Sequence, residues 1–229
     1  MKRSLELTSK ALQTRDQILG CALELFRERG FDKTTMRDIA EQAGVAVGAA
    51  YYYFQTKDEL VLAFYGSLQA QVNAHLAEIT KDGDFGRRFT RLLQFSIEQL
   101  APYRSLVVVL ARSASEPANP LSPFSPQTRE VRAQAVAAVE QCLQGSNLKT
   151  APSLVQHLPK LLWIYQMGVL FLWSHDNSSA QKRTQQFISL SLSLLTKLLP
   201  LSRLPLMRDI NQSVIRLIQL VEGLGEERN

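Results

Sequence analysis

Residues 35–54 read TMRDIAEQAGVAVGAAYYYF, and this stretch decides the fold. Thr35-Met36-Arg37-Asp38 has the form of a capping box, in which the Thr35 hydroxyl takes the Asp38 backbone N–H and the Asp38 carboxylate reaches back. Ile39, Ala40 and Ala43 continue one apolar stripe, and Gly44 stops the helix as a left-handed terminator would. A second short helix, about Ala46 to Tyr53, follows at once. Two short helices joined by a tight turn are the sequence form of a helix-turn-helix.

Helical signals extend outward in both directions. Upstream, Ile18, Ala22, Leu25 and Phe26 form the stripe of an amphipathic helix over Arg15–Arg29, ended by Gly30. Downstream, Thr56-Lys57-Asp58-Glu59 is a second capping box, opening a long helix to about Ile79. Asp84 can cap a helix to about Leu100, and Pro102 suits the first turn of the next. Glu116 to Pro126, with Pro117, Pro120, Pro123 and Pro126, reads as a loop that Ser125-Pro126 closes into a new helix. Pro152 opens a helix through Trp173, Ser178-Ser179-Ala180-Gln181 resembles a third cap, and Pro200 and Pro205 set off a last helix ending near Gly223. The expected fold is all-α with about ten helices: a three-helix helix-turn-helix unit over residues 1–62 and a larger helical bundle over 63–229.

The composition fits a folded globular chain: 229 residues, 45% hydrophobic and 21% charged. Two cysteines, Cys21 and Cys142, do not make a disulfide framework, and no apolar leader follows Met1-Lys2-Arg3, so a reducing, cytoplasmic setting is expected. Leu161 to Trp173 is too short for a membrane span, which takes ~20 apolar residues. The net charge of +5 invites a nucleic-acid reading, but its distribution argues otherwise. Residues 1–60 carry nine Lys/Arg and nine Asp/Glu, so the surplus lies beyond the helix-turn-helix.

The second helix of the motif is poor in charge and rich in small and aromatic residues. Small residues let a backbone enter the major groove closely, and an Ala or Val methyl can meet a thymine methyl. Tyrosines offer hydroxyls to phosphate, and Lys57 adds a positive charge beside a helix N-terminus. Spacing turns Ala50 and Phe54 inward against Ile39 and Phe26, and Gly48, Ala49 and Tyr52 outward. It leaves Tyr51 and Tyr53 open between core and phosphate contact.

The pattern Ile18-Leu19, Ala22, Leu25-Phe26, Gly30-Phe31, Thr34 to Ala40, Ala43-Gly44-Val45, Gly48, Tyr51 to Phe54 and Lys57 to Leu60 closely resembles the DNA-binding domain of tetracycline-repressor-like (TetR-type) regulators, over about residues 15–62. The resemblance implies phosphate-contacting roles for Thr35, Tyr51 and Lys57, with Tyr53 as a further candidate. It implies a base or phosphate contact for Arg37, and base-facing roles for Val47, Gly48, Ala49 and Tyr52. Ala46 departs from the pattern, standing where the family usually places a polar cap. Readout by apolar contact and Arg37 would suit a thymine-bearing half-site.

One recognition helix reads few base pairs, so a homodimer on a palindromic operator is expected. Its interface is expected at Gly168, Phe171, Phe187, Leu190, Leu194 and Leu195, on two apolar helices that would form half of a four-helix bundle between chains. Phe64, Phe89, Phe95, Tyr103, Trp163 and Met167 are candidates to line a pocket for an apolar or amphipathic small-molecule effector. No cofactor or metal is expected, and Arg87, Arg88 and Arg91 read as a solvated face or as a flank for an acidic effector. The implied function is a ligand-responsive repressor. The rivals are a regulator of the same fold working mainly through a protein partner, and a helical-bundle enzyme. The second has little support: His75-x-x-Glu78 lacks the second such pair that a di-metal bundle needs.

Overall fold

The structure of the chain is a computed structural model that describes residues 9–113, 116 and 119–223. The opening Met1-Lys2-Arg3 and Pro117 of the proline-rich stretch lie outside the described residues. All regular structure among the described residues is helical. The helices are α1 (Ser9–Arg29), α2 (Met36–Gln42), α3 (Val47–Tyr53), α4 (Lys57–Ile79), α5 (Phe85–Leu100), α6 (Arg104–Ser113), α7 (Arg129–Leu143), α8 (Pro152–Val155), α9 (Leu158–His175), α10 (Lys182–Leu198) and α11 (Arg208–Gly223), with short 3₁₀ turns between some of them.

The apolar stripes close two cores. In the first, Ile18, Ala22, Leu25 and Phe26 of α1 meet Met36, Ile39 and Ala40 of α2, Ala50 of α3, Phe54, and Leu60, Val61 and Phe64 of α4. Phe26 and Ile39 are fully buried, and side chains of that size each stabilise a fold by ~1.5–3 kcal/mol through burial. The second core gathers Val72, Leu76 and Ile79 of α4 with Phe85, Phe89 and Leu93 of α5, Val139 and Cys142 of α7, Trp163 of α9 and Ile188 of α10. Helix α4 therefore runs through both. Leu106 and Leu110 of α6 and Trp173 of α9 also return to the first core, so the larger bundle grips the helix-turn-helix from two further sides.

Three local expectations are corrected. The helix opened by Pro152 breaks at Gln156-His157 into α8 and α9. Pro159, with no N–H to give, occupies the first turn of α9, where none is needed. Ser178 does not make a box-like cap with Gln181; Asp176 takes that task, its carboxylate accepting from the Ser178 hydroxyl (2.6 Å) and N–H (2.9 Å) and from the Thr184 hydroxyl (2.7 Å) and N–H (2.8 Å). Arg88 is not on a solvated face. It is buried and donates to the carbonyls of Asp82, Cys142 and Gln144, tying the α4–α5 turn to the end of α7. Arg87 and Arg91, by contrast, are exposed and pair with Asp82.

Candidate DNA-recognition surface and interior cavity

Helix α2 starts on Thr35, whose hydroxyl oxygen accepts from the Asp38 N–H (3.2 Å), while the Asp38 carboxylate accepts from the Thr35 N–H (2.8 Å) and hydroxyl (2.7 Å). These bonds, the Thr35 hydroxyl first, hold the Asp38 carboxyl below its ordinary pKa. Gly44, at φ +63°, turns the chain, and the Val45 N–H closes back on the Ala40 carbonyl at 3.0 Å. Ala46 then leads α3 with extended backbone and no side-chain cap. The turn sets α3 across α2 by burying Ala50 and Phe54. Arg15 of α1 lies over the Phe54 ring at 4.8 Å.

Burial on that side decides what remains outside. Tyr52 is 69% exposed, Tyr51 49% and Val47 39%; Gly48 is exposed and Ala49 half-exposed. Tyr51 is thus outward, whereas Tyr53 is half-buried against the first core and meets Tyr52 edge-on at 5.2 Å. A Cβ built on Gly48 would meet nothing within 4 Å, so the chain's own packing does not require glycine there, although glycine inside a helix costs ~1 kcal/mol against alanine. Arg37, on α2, is exposed. Lys57 is turned elsewhere: its ammonium donates to the Phe31 carbonyl at 2.6 Å and sits 4.4 Å from the Phe31 ring centre. Lys57 and Thr35 are therefore engaged within the protein, while Arg37 on α2 and Val47, Gly48, Tyr51 and Tyr52 on α3 are exposed.

A cavity of about 240 Å³ lies inside the larger bundle, walled by α4, α5, α6, α7, α9 and the segment ahead of α7. Of the six candidate pocket residues, Phe64, Trp163 and Met167 line it. Phe89, Phe95 and Tyr103 do not. Phe89 is fully buried and stacks on Phe85 at 5.5 Å, Phe95 packs tilted against His75 at 4.5 Å, and Tyr103 packs edge-on behind Phe64 at 4.8 Å. Helical spacing shows an aromatic stripe but not which ring faces a gap. Phe124 closes the opposite wall, edge-on to Trp163 at 5.5 Å.

The polar lining was missed by sequence reasoning. Gln166 donates to the Ser96 hydroxyl at 3.2 Å, Gln69 donates to Asn73 at 2.9 Å, and Arg132 reaches the cavity from α7. Gln166 did leave a signal, as the polar residue interrupting the apolar run Leu161 to Trp173. Tyr65, half-buried in the cavity wall, has its phenol pKa pushed up by desolvation.

On the outside of the bundle, Phe187, Leu190, Leu194 and Leu198 run along one face of α10 and are between 43% and 72% exposed. Phe171 of α9 is 56% exposed and also lines the cavity, and Gly168 is exposed with open space around it. Leu195 departs from the expected set, since it packs half-buried into the second core. His75 is exposed, its Nδ1 3.0 Å from the Gln71 carbonyl oxygen, and no cluster of His, Cys, Asp or Glu fit for a metal occurs among the described residues. No single helix there is long and apolar enough to cross a membrane.

A capped helix-turn-helix with an open second helix, joined to a hollow helical bundle, defines a helix-turn-helix protein with a separate bundle attached. Residues 18–64 match the family described as bacterial regulatory proteins, tetR family, and residues 88–214 match the tetracyclin repressor-like C-terminal domain. The chain belongs to the TetR family. Among curated relatives, the HTH-type transcriptional regulator TtgR of Pseudomonas putida is 35% identical over 146 residues, which are 62% of this chain and 66% of that protein. A probable acrEF/envCD operon repressor of Escherichia coli is 35% identical over 71 residues, 30% of this chain and 32% of that protein. A putative TetR-family transcriptional regulator from Syntrophomonas wolfei superposes with a TM-score of 0.63 at 19% identity, covering 81% of this chain and 95% of that one. FadR from Bacillus subtilis, solved in complex with stearoyl-CoA, superposes with a TM-score of 0.59 at 16% identity over 78% and 97%.

Proposed function

We propose that this chain is a transcriptional repressor that binds a palindromic DNA operator as a homodimer and leaves it when a small molecule fills the bundle cavity. The observation that carries the reading is the open face of α3. Val47, Gly48, Tyr51 and Tyr52 stand clear of the protein on a helix whose other side is locked into the first core. Backbone approach at Gly48 and Ala49 places apolar groups against base edges, Tyr52 and Arg37 add polar contacts, and the Tyr51 hydroxyl reaches phosphate. Thr35 and Lys57 join as phosphate contacts once their internal bonds are exchanged, and Tyr53 chiefly sets the tilt of α3.

Division at residues 62 and 63 assigns recognition to 1–62 and sensing with pairing to 63–229. The pairing face is Gly168, Phe171, Phe187, Leu190 and Leu194. Repression acts through population shift: the ligand favours another arrangement of the bundle and, with it, another spacing of the two α3 helices. The parts needed for coupling are present. Phe64 belongs to the cavity wall and the first core, and α9 carries Met167 at the cavity and Trp173 in the first core. That FadR, a neighbour in fold, was solved in complex with stearoyl-CoA supports a small-molecule effector. The protein works by binding rather than catalysis, in the cytoplasm where its DNA lies.

Selection of bound duplexes from a random pool, repeated with Arg37→Ala, tests the reading. The chain should enrich one thymine-bearing motif, and Arg37→Ala should bind it more weakly by ~1–3 kcal/mol if Arg37 reads a base. Failure to enrich any motif favours action through a protein partner.

A further inference from the structure

We propose that the effector is a carboxylate: an apolar acid whose hydrocarbon part fills the cavity and whose anionic end is held by Arg132. This rests on the reading of the cavity as the effector site. Arg132 is the one charged side chain lining the cavity among the described residues, and no Asp or Glu lines it. An amine would therefore find no counter-charge there and would face a cation. The rest of the wall is largely apolar, with Phe64, Leu68, Trp163 and Met167 among its surfaces.

Arg132 is half-buried and forms no ion pair among the described residues. One guanidinium nitrogen, Nη1, donates to the carbonyls of Pro123 (2.7 Å) and Ser125 (3.1 Å) and to the Thr128 hydroxyl (3.2 Å). Its Nε and Nη2 make no hydrogen bond among the described residues, leaving the side of the fork that grips a carboxylate in bidentate fashion. Burial, and secondarily the neighbouring Arg129, lower its pKa, as expected of a cation without a partner. The bonds from Nη1 also place Arg132 under the segment that bears Pro123 and Phe124, both cavity-lining. A carboxylate arriving there would contact the charge and the cover of the cavity together. At about 240 Å³ the space falls just below the ~300–1,000 Å³ of ordinary small-molecule sites, which suits a medium-chain or bicyclic aromatic acid.

The test is titration of the full chain with decanoate, decanamide and decylamine, and with naphthoate and its amide and aminomethyl counterparts, followed by fluorescence of the cavity-lining Trp163. In at least one series the acid should bind roughly tenfold or more tightly than its amide, with the amine weakest. Arg132→Gln should bring acid and amide to within about threefold, and Arg132→Lys should keep part of the preference. The Lys variant retains the charge if Arg132→Gln loosens the segment ahead of α7. Acid and amide binding alike in the wild type, or a preference that survives Arg132→Gln, would overturn the carboxylate class while leaving the cavity as a ligand site. If none of the six probes binds, the effector-site reading falls with it.

Discussion

At the scale of single residues, Gly48 is the most informative position. It lies inside α3, exposed, with room for a methyl group on every side, so the fold would favour alanine. Gly48→Ala should raise unfolding free energy by ~0.5–1 kcal/mol in a urea titration and weaken operator binding by anisotropy at the same time. Unchanged DNA affinity would mean that α3 does not approach DNA through its backbone. Sequence alone turned Gly48 and Tyr52 outward, because over seven residues the helical period leaves little freedom once Ala50 and Phe54 are inward. It did not show that Lys57 binds the Phe31 carbonyl 26 positions earlier. A long flexible side chain has many reachable partners, and spacing does not choose among them.

At the scale of helices, caps explain most boundaries. Thr35, Thr56 and Asp84 each cap the N–H three residues on, so these starts were readable from a four-residue window. Ala46 is the exception, and Ala46→Ser should stabilise the chain by ~0.5–1 kcal/mol, read as a higher urea midpoint with an unchanged slope. The start of α10 was misread because its cap, Asp176, acts over eight residues across a pair of left-handed residues, Ala180 and Gln181. Four hydrogen bonds, led by the Ser178 hydroxyl, hold the Asp176 carboxyl well below the ordinary aspartate range, near ~3.9. A carboxyl depressed in the folded state lends stability that is present above its unfolded pKa and is lost as pH falls toward the folded value. Stability should therefore drop below about pH 4, and Asp176→Asn should be less stable at neutral pH with a flatter acid limb. Parallel acid limbs in the two proteins would contradict this role.

For the whole molecule, the all-α architecture was legible because periodicity and caps agree along nearly the whole chain. The cavity was legible only in part. Phe64, Trp163 and Met167 face it while Phe89 fills core, and that difference depends on how α4, α5, α7 and α9 splay. The exposed row Phe187, Leu190, Leu194 and Leu198 is the largest apolar feature left on α10, and such patches mark interfaces. Leu190→Glu with Leu194→Glu should give a folded monomer by light scattering, with operator affinity reduced by more than tenfold as the second half-site contact is lost. The helix-turn-helix is formally neutral, so under the proposed function a single copy would have a small phosphate footprint and would depend on pairing for its grip. The most direct test of this account is hydroxyl-radical footprinting of the full chain on its selected site, with stoichiometry measured on the same complex. The account predicts two-fold symmetric protection in successive major grooves, about 34–36 Å apart or a multiple of that, with an even number of chains bound. Protection of one unsymmetrical patch by a single chain would contradict it.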